Sequence, residues 1–315
     1  MSRIHEALKK AEQERATAQP ADLEGATPIT ASADPVRPSE AEAFFAETVA
    51  RHPSSLSGAD FLRFDDLRAR CAHPEWHLDP NVNVFTNSAL MAHGAEQFRT
   101  LRSRLYQMKS AQTLKTLLVT SSIPAEGKTF VTNNLAQSIV RQPDRRVLII
   151  DADLRCSRLH VPLGAPSSPG LTDYLNGRAN EMGVIQHGAE GNLCFIPGGT
   201  LVSNPSELLA NGKLQTLLAR VSPVFDWVII DSPPLLPVAD ASALADLVDG
   251  VLLVVRAGST PSATAQRACQ ELAGRNIVGV VLNAVEQAHT YGSYYAPGYG
   301  YGYGYGNQPP ATETR

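Results

Sequence analysis

Six short aliphatic runs constrain this chain more than any other feature: "LKTLLVTSS", "RRVLIIDAD", "NLCFIPGG", "FDWVIIDSPP", "DGVLLVVRAG" and "NIVGVVLNAV". Each is apolar at successive positions, so an extended chain would bury both of its faces, as strands do when helices cover a sheet above and below. The segments between them, at 128–141, 205–220, 239–247 and 261–274, are long enough for crossover helices. That order specifies an α/β fold with a mainly parallel sheet flanked by helices, and ligands should gather at the carboxyl ends of its strands.

The 315 residues, 43% of them apolar, can support a sizeable core. No stretch approaches the roughly 18 consecutive apolar residues of a transmembrane helix, and "MSRIHEALKKAEQER" lacks the apolar run of a secretory signal, so cytoplasmic residence is expected. Cys71, Cys156, Cys194 and Cys269 are scattered without metal-type or disulfide-type spacing and read as structural thiols. A formal charge of −4 gives no electrostatic reason for nucleic-acid binding. Residues 1–17 read as a docking helix with Ile4, Leu8 and Ala11 on one side, and 18–80 as a mostly disordered linker. A folded domain is expected over 81–285, opening with a helix whose apolar side is Phe98, Leu101, Leu105 and Met108. Residues 286–315 form a low-complexity tail, and "YGSYYAPGYGYGYGYG" holds seven of the chain's nine tyrosines.

The first aliphatic run ends in "SSIPAEGKT", residues 121–129, ahead of a helical segment. A loop between strand and helix can wrap phosphates with its backbone amides, backed by the positive helix end. The residues concerned are Ser122, Pro124, Ala125, Glu126, Gly127, Lys128, Thr129 and Phe130, with Lys128 reaching the β- and γ-phosphates and Thr129 ligating Mg²⁺. The fold is therefore expected to be P-loop NTPase-like, although Ser122 takes the place of the loop's first glycine. Two further runs end in acids. "LIIDADLR" sets Asp151 and Asp153 on one side of an extended chain, and "WVIIDSPP" ends in Asp231, where an acid holds Mg²⁺ directly or through water. Three clustered carboxylates need a cation; the bland reading is that one or two of them cap the following turn. Asn283 closes the last run and either hydrogen-bonds adenine or makes an ordinary strand-end turn, while His160 is the safer choice as a structural histidine.

The second acidic segment, "IIDADLRCSRLH", resembles the additional Walker-type box of bacterial tyrosine kinases. "GLTDYLNG", "LCFIPGGTLVSNPSELLA", "FDWVIIDSPPLLPVADA", "DGVLLVVRAGST" and "VGVVLNAV" resemble successive segments of that family over roughly residues 95–285, and "EQFRTLRSRL" resembles its Glu-x-x-Arg-x-x-Arg helix. The N-terminal fifteen residues look like the start of the exosortase-associated polysaccharide autokinases. Ala125 replaces a usual second glycine, Cys156 and Ser157 replace a basic-proline pair, and the chain has no fused membrane segment.

The resemblance implies an ATP-dependent protein tyrosine autokinase that binds ATP or ADP with Mg²⁺ and regulates exopolysaccharide synthesis or export. It implies Lys128, Asp151 and Asp153 as catalytic residues, with Asp151 accepting the tyrosine proton and Asp153 able to exchange roles with it. Thr129, Asp153 and Asp231 would hold the metal. Tyr291, Tyr294, Tyr295, Tyr299, Tyr301, Tyr303 and Tyr305 become the phosphoacceptors, on a leash whose fifteen residues from Glu286 to Tyr301 span up to roughly 50 Å, enough to reach a neighbouring subunit. Full phosphorylation would add roughly −10 to −14 charge units. Glu96, Arg99 and Arg102 would join subunits into a ring, although their spacing alone favours an intrahelical pair. The other implied partners are a separate membrane-bound chain-length regulator, which recruits the chain to the inner face of the membrane, and a cognate tyrosine phosphatase. Two rival readings are a partitioning-type ATPase switch, which characteristically carries a second lysine where this chain has Ile123, and a non-catalytic nucleotide-binding scaffold.

Overall fold

The computed structural model describes residues 62–86, 88–188 and 191–285, within a unit that begins at Asp60. The expected docking helix, the linker as far as residue 61 and the tyrosine tail lie outside the described residues.

The aliphatic runs are strands. In chain order they are β1 (Thr116–Ser121), β2 (Arg146–Asp151), β3 (Gln186–His187), β4 (Asn192–Ile196), β5 (Trp227–Asp231), β6 (Gly250–Arg256) and β7 (Ile277–Asn283). They form one sheet in the order β3-β4-β2-β5-β1-β6-β7. Every pairing is parallel except the two-residue β3, which runs antiparallel to β4. β1 and β5 are buried at every residue, as their unbroken aliphatic character requires, whereas the edge strand β7 leaves Val280 and Leu282 exposed.

Helices cover both faces: α1 (Phe64–Arg70), α2 (Ser88–Ala111), α3 (Lys128–Val140), α4 (His160–Leu163), α5 (Leu171–Leu175), α6 (Glu181–Val184), α7 (Pro205–Leu209), α8 (Lys213–Val221), α9 (Asp240–Ala245) and α10 (Ser262–Glu271). Strand residues alternate between two apolar cores. Leu148, Ile150, Val228 and Ile230 pack with α1, α8 and α9, while Val147, Ile149, Trp227 and Ile229 pack with α2 and α3. Within α2, Phe98 and Leu105 are buried and Leu101 is partly so, but Met108 is exposed. The helix expected over 205–220 is two, because Gly212 adopts φ 80° between them. Tyr106 packs edge-on against Trp227, Tyr174 packs on the other core, and all four cysteines are free thiols.

The folded domain includes residues ahead of the expected boundary at residue 81. Phe64 and Leu67 of α1 are core residues, and Ala72 bridges Gln186 at the β3 edge. The following strap, residues 72–86, lies along α3 and α4 and is held by side-chain amides together with the buried Val84 and Phe85, with Trp76 and Leu78 packed on the same core. The Val84 amide donates to Asn134 Oδ1 (2.9 Å), Asn134 Nδ2 donates to the Val82 carbonyl (2.8 Å), Asn133 Nδ2 donates to Asn83 Oδ1 (2.7 Å), and Asn83 Nδ2 donates to the Pro162 carbonyl (2.8 Å). The ring of Trp76 lies edge-on to Phe195 and fills the space where a Cβ at Gly188 would stand.

Candidate active site

The ends of β1, β2 and β5 meet at α3, which starts with the lysine of the phosphate loop. Gly127 caps that helix at φ 93° with no side-chain acceptor, so the amides of the first turn keep their donors for a ligand. Gly127 has no alternative, since a Cβ there would come within 2.1 Å of Asn283 Nδ2.

The loop is held from behind. Glu126, 2% exposed, turns its carboxylate away from the cradle: Oε2 accepts the Ile123 amide (2.8 Å), and Oε1 accepts the Thr260 hydroxyl (2.5 Å) and the Arg256 amide (3.3 Å). Asn283 Nδ2 donates to the Glu126 carbonyl at 2.9 Å. Glu126 can therefore serve a ligand through its backbone only. The Phe130 ring packs on Phe98, Pro124 and Ala125 are exposed, and the Ser122 hydroxyl is buried without a partner among the described residues.

Lys128 Nζ lies 2.9 Å from Asp153 Oδ2. Burial pulls the ammonium down, but the carboxylates of Asp231 and Asp153 outweigh it and hold the group above its ordinary value. Thr129 Oγ1 donates to Asp231 Oδ2 (2.7 Å), and Thr132 Oγ1 donates to Asp231 Oδ1 (3.3 Å). Burial pushes Asp231 up to about 7, with Lys128 opposing. Asp151 Oδ2 accepts the Ser157 hydroxyl (2.7 Å) and the Leu159 amide (3.0 Å), while Oδ1 accepts the Asp153 amide (3.2 Å). Burial pushes it up to about 6 against those hydrogen bonds. The five side chains expected to act together, Lys128, Thr129, Asp151, Asp153 and Asp231, thus stand at the carboxyl ends of neighbouring strands. Spacing gave no sign of Ser157, which a lack of side chain at Gly198 accommodates, or of Thr132.

Comparison with known proteins agrees with this architecture. Residues 124–263 match the family model described as an AAA domain. The tyrosine-protein kinase YwqD of Bacillus subtilis (strain 168) is 32% identical over 216 residues, which cover 68% of this chain and 91% of YwqD. The chain belongs to the bacterial tyrosine kinase family. The tyrosine-protein kinase etk of Escherichia coli (strain K12) is 38% identical over 202 residues, 63% of this chain, and the chain spans only 28% of that longer relative. The solved kinase domain of Escherichia coli ETK superposes with a TM-score of 0.61 at 35% identity, covering 73% of this chain and 88% of that domain. The phosphate loop between β1 and α3, within the matched AAA domain, marks a nucleotide site. The oxygen donors beside it, Thr129, Asp153 and Asp231, suit Mg²⁺, a hard cation that takes one or two carboxylates and completes its shell with phosphate and water. Among the described residues, no group of three or more His, Cys, Asp or Glu side chains is placed to hold a metal ion.

The remaining expected residues sit elsewhere. On α2, Arg99 pairs with Glu96 at 3.1 Å, both exposed, as the spacing alone favours. Arg102 instead donates to the Ser138 carbonyl of α3 at 2.5 Å. His160 heads α4, with Nδ1 buried and without a partner among the described residues. The seven tail tyrosines lie outside the described residues. Among the described residues, no helix is long and apolar enough to cross a membrane.

Proposed function

We propose that this chain is an ATP- and Mg²⁺-dependent protein tyrosine autokinase that phosphorylates its C-terminal tyrosine cluster in trans within a homo-oligomer. The observation that carries the reading is the meeting of Lys128, Thr129, Asp151, Asp153 and Asp231 beside a phosphate loop, in a chain that ends in seven closely spaced phenols. Phosphoryl transfer asks chiefly for positioning and charge neutralisation. Loop amides and Lys128 bind and orient the β- and γ-phosphates. Thr129, Asp153 and Asp231 hold Mg²⁺, which when bound neutralises phosphate charge. Asp151 accepts the phenol proton: its carboxyl, raised to about 6, is ionised at neutral pH yet more basic than an ordinary aspartate, while Asp153 is engaged by Lys128. Control falls to a membrane-bound chain-length regulator of polysaccharide synthesis, which recruits the chain to the inner face of the membrane, and to a cognate phosphatase.

Incubation of the full chain, with its regulator, in labelled ATP and Mg²⁺ followed by mass spectrometry tests the proposal. Label should appear on tail tyrosines and vanish in Lys128→Met. ATP turnover with bare tyrosines would overturn the reading.

A further inference from the structure

Beside the phosphate loop, the loop after β2 and the first turns of α7 and α9 are tied by a closed hydrogen-bonded triangle. Arg155, two residues past Asp153, donates from Nε to Asp240 Oδ2 (2.7 Å) and from Nη2 to Asp240 Oδ1 (3.2 Å). The same Nη2 donates to Ser206 Oγ (2.8 Å), whose hydroxyl donates to Asp240 Oδ1 (2.5 Å). The Asp240 side chain is 1% exposed and that of Arg155 41%. Burial works against the Asp240 carboxylate, but its bonds from Arg155 and Ser206 hold it below its ordinary value, so it stays charged and the fork stays closed.

The arrangement answers a problem posed by the site. Asp153 is held by Lys128, and a lysine that turns to phosphates must let it go. Two contacts from the Cys156 amide, to the Asp153 carbonyl and Oδ1, remain within the loop itself. Ala152 is tied to the Asp231 carbonyl and Leu154 is buried in the core, while the Arg155 fork is the side-chain link from this loop to α7 and α9.

We propose that Asp240 and Arg155, with Ser206, are positioning residues that keep the Asp153 carboxylate in place for the divalent cation once Lys128 has moved to the phosphates. Their role is defined on the kinase reading, but the anchor itself does not need phosphoryl transfer to occur. It predicts a defect confined to the metal-bound state.

The test is binding of a fluorescent ADP to the full chain, with Mg²⁺ and with EDTA, in Arg155→Met, Asp240→Asn and Ser206→Ala. Arg155→Met removes a half-exposed side chain, and Asp240→Asn is isosteric, so loss of folding in one leaves the other. Arg275→Met, which breaks a similar forked pair with Asp246 away from the site, is the control. Affinity with Mg²⁺ should fall by about 10-fold in the first two variants and less in the third, as for removal of an outer-shell partner. Affinity in EDTA, and both affinities of the control, should not change. Equal losses with and without Mg²⁺, or no loss with Mg²⁺, would overturn the anchor. If the wild-type chain binds Mg²⁺–ADP but labels no tyrosine, the kinase reading fails and the binding comparison still decides the anchor.

Discussion

Ala125 sits in the phosphate loop at φ 65°, a left-handed conformation that crowds a Cβ against its own carbonyl. Ala125→Gly should therefore raise stability by about 1 kcal/mol, read from denaturant unfolding, with nucleotide affinity kept. Asp151 and Asp231 carry a second consequence. Their folded values of about 6 and about 7 lie above the usual 3.8, so between about pH 4 and pH 7 the native state keeps protons that the unfolded chain has released. Their contribution to stability is full at acid pH and declines as pH rises through that window. Thermal melts of nucleotide-free protein should show it, and Asp231→Asn should flatten the decline; an unchanged slope would contradict the assignment. Lys128, Asp151, Asp153 and Asp231 were legible in the sequence because each stands where an aliphatic run ends or a helix starts. Ser157, Ser206 and Asp240 were not, since their meaning comes from partners 6, 51 and 85 residues away in sequence.

Strands were the most legible elements, since period and apolarity both announce them, and β3 was missed because two polar residues carry neither signal. The strap over residues 72–86 escaped for a different reason. Its order comes from asparagine amides, Trp76 and the adjacent pair Val84 and Phe85, which leave no periodic trace. Gly164 is where this can be tested: it has φ 59°, and an added Cβ would come within 2.2 Å of the His77 carbonyl oxygen. Gly164→Ala should cost about 1–3 kcal/mol of unfolding free energy and raise proteolysis of the strap. The corresponding cost in α2 is that of a cavity. Leu105→Ala should lose about 2–5 kcal/mol, with an intact secondary-structure spectrum at low temperature.

At the scale of the whole molecule, the three α2 residues separate, and with them the tests of the proposed homo-oligomer. Arg99 is half exposed and makes only a surface pair, so Arg99→Glu should give smaller particles by light scattering and less tail phosphorylation while the monomer melts normally. Arg102→Glu should lower the melting temperature as well, because Arg102 ties α2 to Ser138. Unaltered particle size in Arg99→Glu would remove that residue from the subunit contact. The Lys128–Asp153 pair has an effect on ligand choice that needs no dedicated pocket. An anion arriving alone must prise the lysine from its acid and strand a carboxylate in a nearly dry site. A polyphosphate escorted by a divalent cation supplies a replacement for what it removes, so free sulfate and orthophosphate are poor competitors by electrostatics alone.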